Sequence, residues 1–319
     1  MFEVYCDESV ADLRGAQGLW LAGYLASDES WASFSHAWRT EVLDRYSIPH
    51  LHAVELRSRQ ASLYQHLDFK ARRKLLAGAC DIIVSSIEAG FVAYMRPVEF
   101  ESLTTPEERG RWGGAYGVCT EVLVGEISRH IGQPERVNFH FEDGHANVSS
   151  AMKRIEAIKA DTEPIGWPGM VDTEGQDKFE HIEREMRTSW MRIGTFDTLK
   201  KTVALPTQAA DLLAYLAATV MRNDNDPVYA GCLDLLIGRK PHAFRSLGAK
   251  FLAELIEATR VVEQQRLLDR KNLYELRGKL HALGYTTHFL PWGIVVDKGP
   301  KEEHSEVLRQ QVEEIRKKL

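Results

Sequence analysis

Apolar residues in the first two thirds of the chain fall into short runs separated by longer segments with helical spacing. Phe2–Cys6 and Leu19–Ala26 predict two strands joined by the polar, Gly-bearing segment Ala11–Gly18. Ser30–Tyr46 places Trp31, Phe34, Trp38 and Val42 near one helical face. After the irregular stretch Ser47–Gln60, Phe69–Ala89 predicts a long helix stopped by Gly90, and Phe91–Met95 a third strand closed by Pro97. Gly113–Ile131 predicts a helix ended by Gly132 and Pro134, Val137–Phe141 a fourth strand, and Asn147–Lys159 a helix with an Asn cap. Asp161–Trp190 is polar and predicts an excursion with one short helix. Arg192–Phe196 then predicts a fifth strand, and Pro206 opens a helix to about Met221.

Past Pro227 the pattern is mainly helical, at Val228–Ile237, Leu247–Leu268 and Tyr274–Leu283, with one strand-like run at Phe289–Val296. The last segment, Glu302–Leu319, carries Leu308, Val312, Ile315 and Leu319 as one narrow stripe. Such a stripe packs on another helix, either in this chain or in a homodimer or partner protein. The expected organisation is an α/β domain at 1–225 followed by a mainly helical C-terminal extension at 226–319.

Composition narrows the class. A chain of 319 residues with 44% hydrophobic content can bury a sizeable core, and 11 Pro and 23 Gly speak against a low-complexity chain. The formal net charge of −6 gives no global basic field, so nucleic-acid binding would need a local patch. Cys6, Cys80, Cys119 and Cys232 are scattered without a CxxC pair, which fits buried thiols in a reducing compartment. No signal-peptide pattern opens the chain, and no apolar stretch approaches the roughly 18 residues of a membrane span. The expectation is a cytoplasmic protein without a membrane partner.

Candidate chemistry centres on acids. Asp7-Glu8-Ser9 follows the first strand-like run, Glu142-Asp143 follows the fourth, and Asp211 sits early in the apolar helix after Gln208. Strand ends at a sheet rim are where open α/β sheets build their sites. Carboxylates gathered there suit Mg²⁺ or Mn²⁺, hard cations that prefer oxygen ligands and serve phosphoryl transfer. Each acid also has a plainer use. Asp7 could end a strand, Asp143-Gly144 is a strong turn dipeptide, and Asp211 could complement a helix dipole. Strand alternation leaves the choice between Glu142 and Asp143 open and makes Glu8 and Ser9 supporting candidates. Gln208, Asp211 and Tyr215 share one helical face, a polar row on an apolar helix. His52 is either a proton carrier beside the carboxylates or a structural histidine, and Glu55 a fourth acid or a helix-start residue. Arg72 and Arg73, in the basic run Lys70–Lys74, could meet phosphates or simply face solvent.

Asp7-Glu8-Ser9, Leu51-His52-Ala53-Val54-Glu55-Leu56 and Gln208-Ala209-Ala210-Asp211-Leu212-Leu213-Ala214-Tyr215, in that order, resemble the domain of unknown function 3800 (DUF3800) family of bacteria and phages. The resemblance covers about residues 1–222 and departs from the family at Thr207 and in the length of Asp161–Trp190. It implies a ribonuclease H-like mixed five-stranded sheet flanked by helices, with an antiparallel meander of three strands and two further strands reached by crossovers. It also implies neighbouring first and fourth strands and a two-metal phosphodiesterase site at Asp7, Glu142 or Asp143, and Asp211. The expected activity is a metal-dependent nuclease using Mg²⁺ or Mn²⁺. The alternative is a non-catalytic module of the same fold that binds nucleic acid or a protein partner.

Overall fold

A computed structural model describes residues 1–13, 15–58, 62–131, 135–162, 193–222 and 226–257. Further on it describes isolated helical positions between 260 and 281 and two strands. The chain opens with a long hairpin, β1 (Phe2–Leu13) and β2 (Ala16–Ser27). Both strands outrun the sequence expectation, because the polar segment read as a connection is itself paired from Val10↔Leu19 to Leu13↔Ala16. The turn is tight enough to allow this: Gly15 takes φ +84° and donates its N–H to the Asp12 carboxylate at 2.8 Å.

Ser27 caps α1 (Asp28–Trp38), which runs into a π-helical turn at Arg39–Asp44. The short α2 (Ala53–Arg57) precedes α3 (Phe69–Ser86), whose first turn is capped by Asp68. Gly90 does not stop α3. The helix ends at Ser86, and Gly90 lies inside β3 (Ala89–Met95), a strand buried along its whole length. Then follow α4 (Pro97–Leu103), α5 (Pro106–Trp112), α6 (Gly114–His130), β4 (Val137–Glu142) and α7 (Val148–Thr162). After 193 come β5 (Ile193–Leu199), α8 (Leu205–Met221), α9 (Pro227–Arg239) and β6 (His242–Leu247).

Six strands form one mixed sheet in the order β5-β4-β1-β2-β3-β6. β1, β2 and β3 are an antiparallel meander; β4 runs parallel to β1, β5 to β4, and β6 to β3. A sheet of five strands was expected. The sixth escaped notice because His242–Leu247 is an edge strand with only Leu247 buried and no apolar run.

Alternation on β2 splits the core into two layers. Trp20, Ala22, Tyr24 and Ala26 face α1, α3, α8 and α9, while α6, backed by α5 and α7, covers the other side of β2 and β3. Helix α8 is buried from Leu205 through Thr219, since the sheet lies on one side and α1 and α9 on the other.

The unit holding this sheet spans Met1–Glu163 and Asp172–Ala253, so the boundary expected at 225 falls inside it, before α9 and β6. The remaining unit contains the hairpin of β7 (Thr286–Leu290) and β8 (Gly293–Lys298). The predicted terminal helix 302–319 and most of 161–190 lie outside the described residues. Among the described residues, no helix is long and apolar enough to cross a membrane, and all four cysteines are buried free thiols.

β6 is held to β3 through a glycine. A Cβ added at Gly90 would overlap the His242 ring and press within 2.8 Å of Tyr24. Gly90→Ala is therefore expected to cost about 1–3 kcal/mol in chemical denaturation, the usual range for overpacking. Wild-type stability in this variant would mean that β6 is not packed across β3 in this way.

Candidate functional site

β1 keeps two neighbours only as far as Cys6, which pairs with Phe141 of β4. Beyond that point β4 turns away at Asp143-Gly144, while β1 continues against β2 alone. Asp7 thus sits where the sheet forks, in mid-strand rather than at the strand end that the sequence pattern suggested. In a parallel pair, aligned residues share a face, and Tyr5 stacks on His140 with ring centroids 4.7 Å apart. The next step along that face brings Asp7 beside Glu142. Glu8 belongs to the opposite pleat, yet its carboxylate joins them. Oxygens of Asp7, Glu8 and Glu142 all lie within 4.8 Å of one another. Asp7 is only 2% exposed.

Asp143 is not part of this group. It is exposed in the turn, and its backbone N–H donates to the Leu199 carbonyl at 3.0 Å. Of the two acids, it is Glu142 that lies in the group, and its carboxylate folds over Gly144, where a Cβ would collide with it.

The third acidic element arrives through a residue that the sequence reading missed. Lys201, in the turn between β5 and α8, places Nζ 2.7 Å from Asp7 Oδ2 and 3.3 Å from Asp211 Oδ1. Asp211 lies in the second turn of α8, too far along for the helix-dipole role considered above. Its other oxygen accepts the Ala53 N–H at 2.8 Å, which ties the start of α2 to the site. One of two adjacent lysines in a turn, Lys201 carries no sequence signal of its own; only the fold aims it at the carboxylates.

Gln208 is a bracket. Its Oε1 accepts from Trp38 Nε1 at 2.9 Å and from Leu51 N at 2.8 Å, and its Nε2 donates to the Lys201 carbonyl at 3.0 Å. One buried amide thus positions both the Lys201 turn and the His52 loop. Tyr64 accepts the His52 N–H at 2.8 Å, and His52 Nδ1 lies 3.1 Å from Glu55 Oε1. On the same loop, the pKa of His50 is lowered by burial and by His52, and His50 feels the charges of Glu55, Lys201 and Asp211. Ser9 lies two residues past Asp7, opposite Trp20 on β2, and lines an adjoining cleft.

Arg72 serves the fold. Its guanidinium donates to the carbonyls of Leu56, Ser58, Tyr64 and Leu67 and lies over the Tyr64 ring. This network replaces the phosphate contact considered for it. Arg73 instead lies over the Phe69 ring, 4.3 Å from its centroid.

Four carboxylates share one ammonium. Burial first, and then the neighbouring Asp211, push Asp7 well above the ordinary carboxylate range, with Lys201 opposing. Burial and the nearby Glu142 push Glu8 up to about 7. Burial also raises Glu142, again against Lys201. Burial alone would lower the Lys201 ammonium, but Asp211 and Asp7 outweigh it and the net shift is upward. The centre therefore carries excess negative charge and holds protons readily. Neither a protein-family model nor a curated protein sequence matches the chain, so the geometry carries the functional reading.

Because the folded protein favours protonated Glu8, its stabilising contribution is full below the ordinary carboxylate pKa and is lost as pH rises through about 7. The melting temperature of the metal-free protein should fall from about pH 5 to pH 8, and Glu8→Gln should flatten that fall. An unchanged slope in Glu8→Gln would contradict this electrostatic picture. Lys201→Met should cost about 3–5 kcal/mol by stranding buried negative charge. Adding Asp7→Asn should recover part of that loss, and purely additive effects in the double mutant would argue against the pair.

Proposed function

We propose that this chain is a ribonuclease H-like, metal-dependent phosphodiesterase acting on nucleic acid. One observation carries the reading: carboxylates from the first strand, the fourth strand and the helix after the fifth converge where the sheet forks. The strand order supports it as well, since a meander with two parallel strands added beside β1 is what the DUF3800 resemblance implies. Here that arrangement carries one further edge strand.

The donor set fits a hard divalent cation. Asp7, Glu8 and Glu142 offer only oxygen, and Glu8 Oε2 is buried without a hydrogen-bond partner among the described residues. These three would hold Mg²⁺ or Mn²⁺, which when bound supplies Lewis acidity toward a phosphoryl oxygen. The protein's own groups do the rest. Lys201 keeps Asp7 and Asp211 together and offers positive charge to an anionic phosphodiester. His52, with Nδ1–H donated to Glu55, keeps Nε2 as the nitrogen that takes or gives a proton. Gln208 fixes the Lys201 and His52 segments relative to one another.

A second reading also has an observation behind it. Lys201 already neutralises part of the acidic group, as a module that binds nucleic acid or protein without cleaving it would need.

Mn²⁺ at about a hundred times its Kd should stabilise the protein by about 2.7 kcal/mol. Asp7→Asn and Glu142→Gln should each abolish that shift, together with Mn²⁺-dependent cleavage of an oligonucleotide. Wild-type protein that shows neither stabilisation nor cleavage supports the non-catalytic module.

A further inference from the structure

The elements that carry the carboxylates continue together into a cleft of about 360 Å³. Ser9 follows Asp7 on the same pleat of β1, Tyr215 lies one turn beyond Asp211 on α8, and Val54 follows Ala53, whose N–H binds Asp211. Two arginines, Arg57 and Arg222, line the same cleft, and Arg222 Nε is buried without a hydrogen-bond partner among the described residues.

Arg57 also lines a second cleft, of about 540 Å³, between α2, α3 and α9. Its guanidinium lies over the Tyr229 ring, 5.7 Å from the centroid. Arg73 and Phe69 form the far wall, and Phe69 is 65% exposed although it is aromatic. The two clefts therefore meet at Arg57 and together lead away from the carboxylates. Along them lie Arg222, Arg57 and Arg73 against one acid, Asp226, a local excess of cations on a chain of net charge −6. One exposed aromatic plane accompanies these cations, that of Phe69, whereas Tyr215 and Tyr229 are buried in the cleft walls. Arginines that follow a backbone, with an aromatic face among them, suit single-stranded nucleic acid, because every phosphate is anionic and every base has a face to stack.

We propose that these two clefts form one groove that binds a single-stranded nucleic acid, with phosphates on Arg222, Arg57 and Arg73 and a base stacked on Phe69. This deepens the phosphodiesterase reading and rests on it only for the strand's destination at the carboxylates. Arg72 also lines the second cleft, but its guanidinium is committed to backbone carbonyls.

The test is fluorescence anisotropy of a labelled single-stranded oligonucleotide, without divalent metal, across a salt series. Arg57→Glu/Arg73→Glu should weaken binding at least about tenfold and lower the magnitude of the salt slope by about two, near one for each phosphate no longer neutralised. Phe69→Ala, at an exposed position, should weaken binding several-fold with an unchanged slope, since stacking releases no counterions. The melting temperature of Phe69→Ala should match wild type, and that of the double variant is read alongside its binding, since Arg57 also lies over the Tyr229 ring. Equal affinity and slope in wild type and the double variant would overturn the groove, as would competition by poly-glutamate equal to that by unlabelled oligonucleotide. Binding that behaves as expected while Mn²⁺ neither stabilises the protein nor supports cleavage would uphold the groove and remove the catalytic reading. Mn²⁺-dependent cleavage with binding indifferent to these variants would do the reverse.

Discussion

Two aspartates buried side by side repel one another, and burial deprives both of the water that would solvate their charge. Lys201 offsets part of that penalty by bridging Asp7 and Asp211 with a single ammonium. Much of the structure around the site can be understood as holding that ammonium in place. Gln208 grips the Lys201 carbonyl, the Trp38 indole and the Leu51 amide at once, so α1, the His52 loop and the Lys201 turn all meet on one side chain. Asp211 in turn fixes the start of α2 through Ala53. Breaking the pair would therefore loosen a loop and a turn along with the bridge itself.

The compensation is incomplete, and that imbalance gives the centre its chemical character. Glu8 and Glu142 add negative charge that Lys201 does not cancel, and burial forces the group to hold protons instead. A divalent cation would meet the same need without protons. On the proposed reading, this is why a site that is costly to build without a metal would bind one. Lys201 contacts Asp7 and Asp211 directly, while Glu8 and Glu142 feel its charge at longer range.

Much of this was legible in the sequence, for identifiable reasons. The helix 205–221 announces itself through Pro206 and an almost unbroken apolar run, and its polar row of Gln208, Asp211 and Tyr215 does meet polar partners at Gln208 and Asp211. Val137–Phe141 alternates plainly and leads into the acid that joins the site. What escaped had no local signature. Edge strand β6 buries only Leu247, so it lacks the apolar run that marks a core strand. The extension of β1 past Asp7 is polar, and only its pairing with β2 makes it a strand. Lys201 and Arg72 are ordinary basic residues whose roles depend on partners that only the fold brings to them. Asp143 drew notice for its charge, yet the turn it helps to form sends its side chain into solvent.

The central claim is that Asp7, Glu8 and Glu142 form a cation site beside, and separate from, the Lys201 bridge. The most direct measurement is an anomalous difference map from crystals grown with Mn²⁺. The account predicts a Mn²⁺ peak within coordinating distance of oxygens from those three residues, with Lys201 still between Asp7 and Asp211. A map without a peak there, at a Mn²⁺ concentration that saturates any shift in melting temperature, would contradict it.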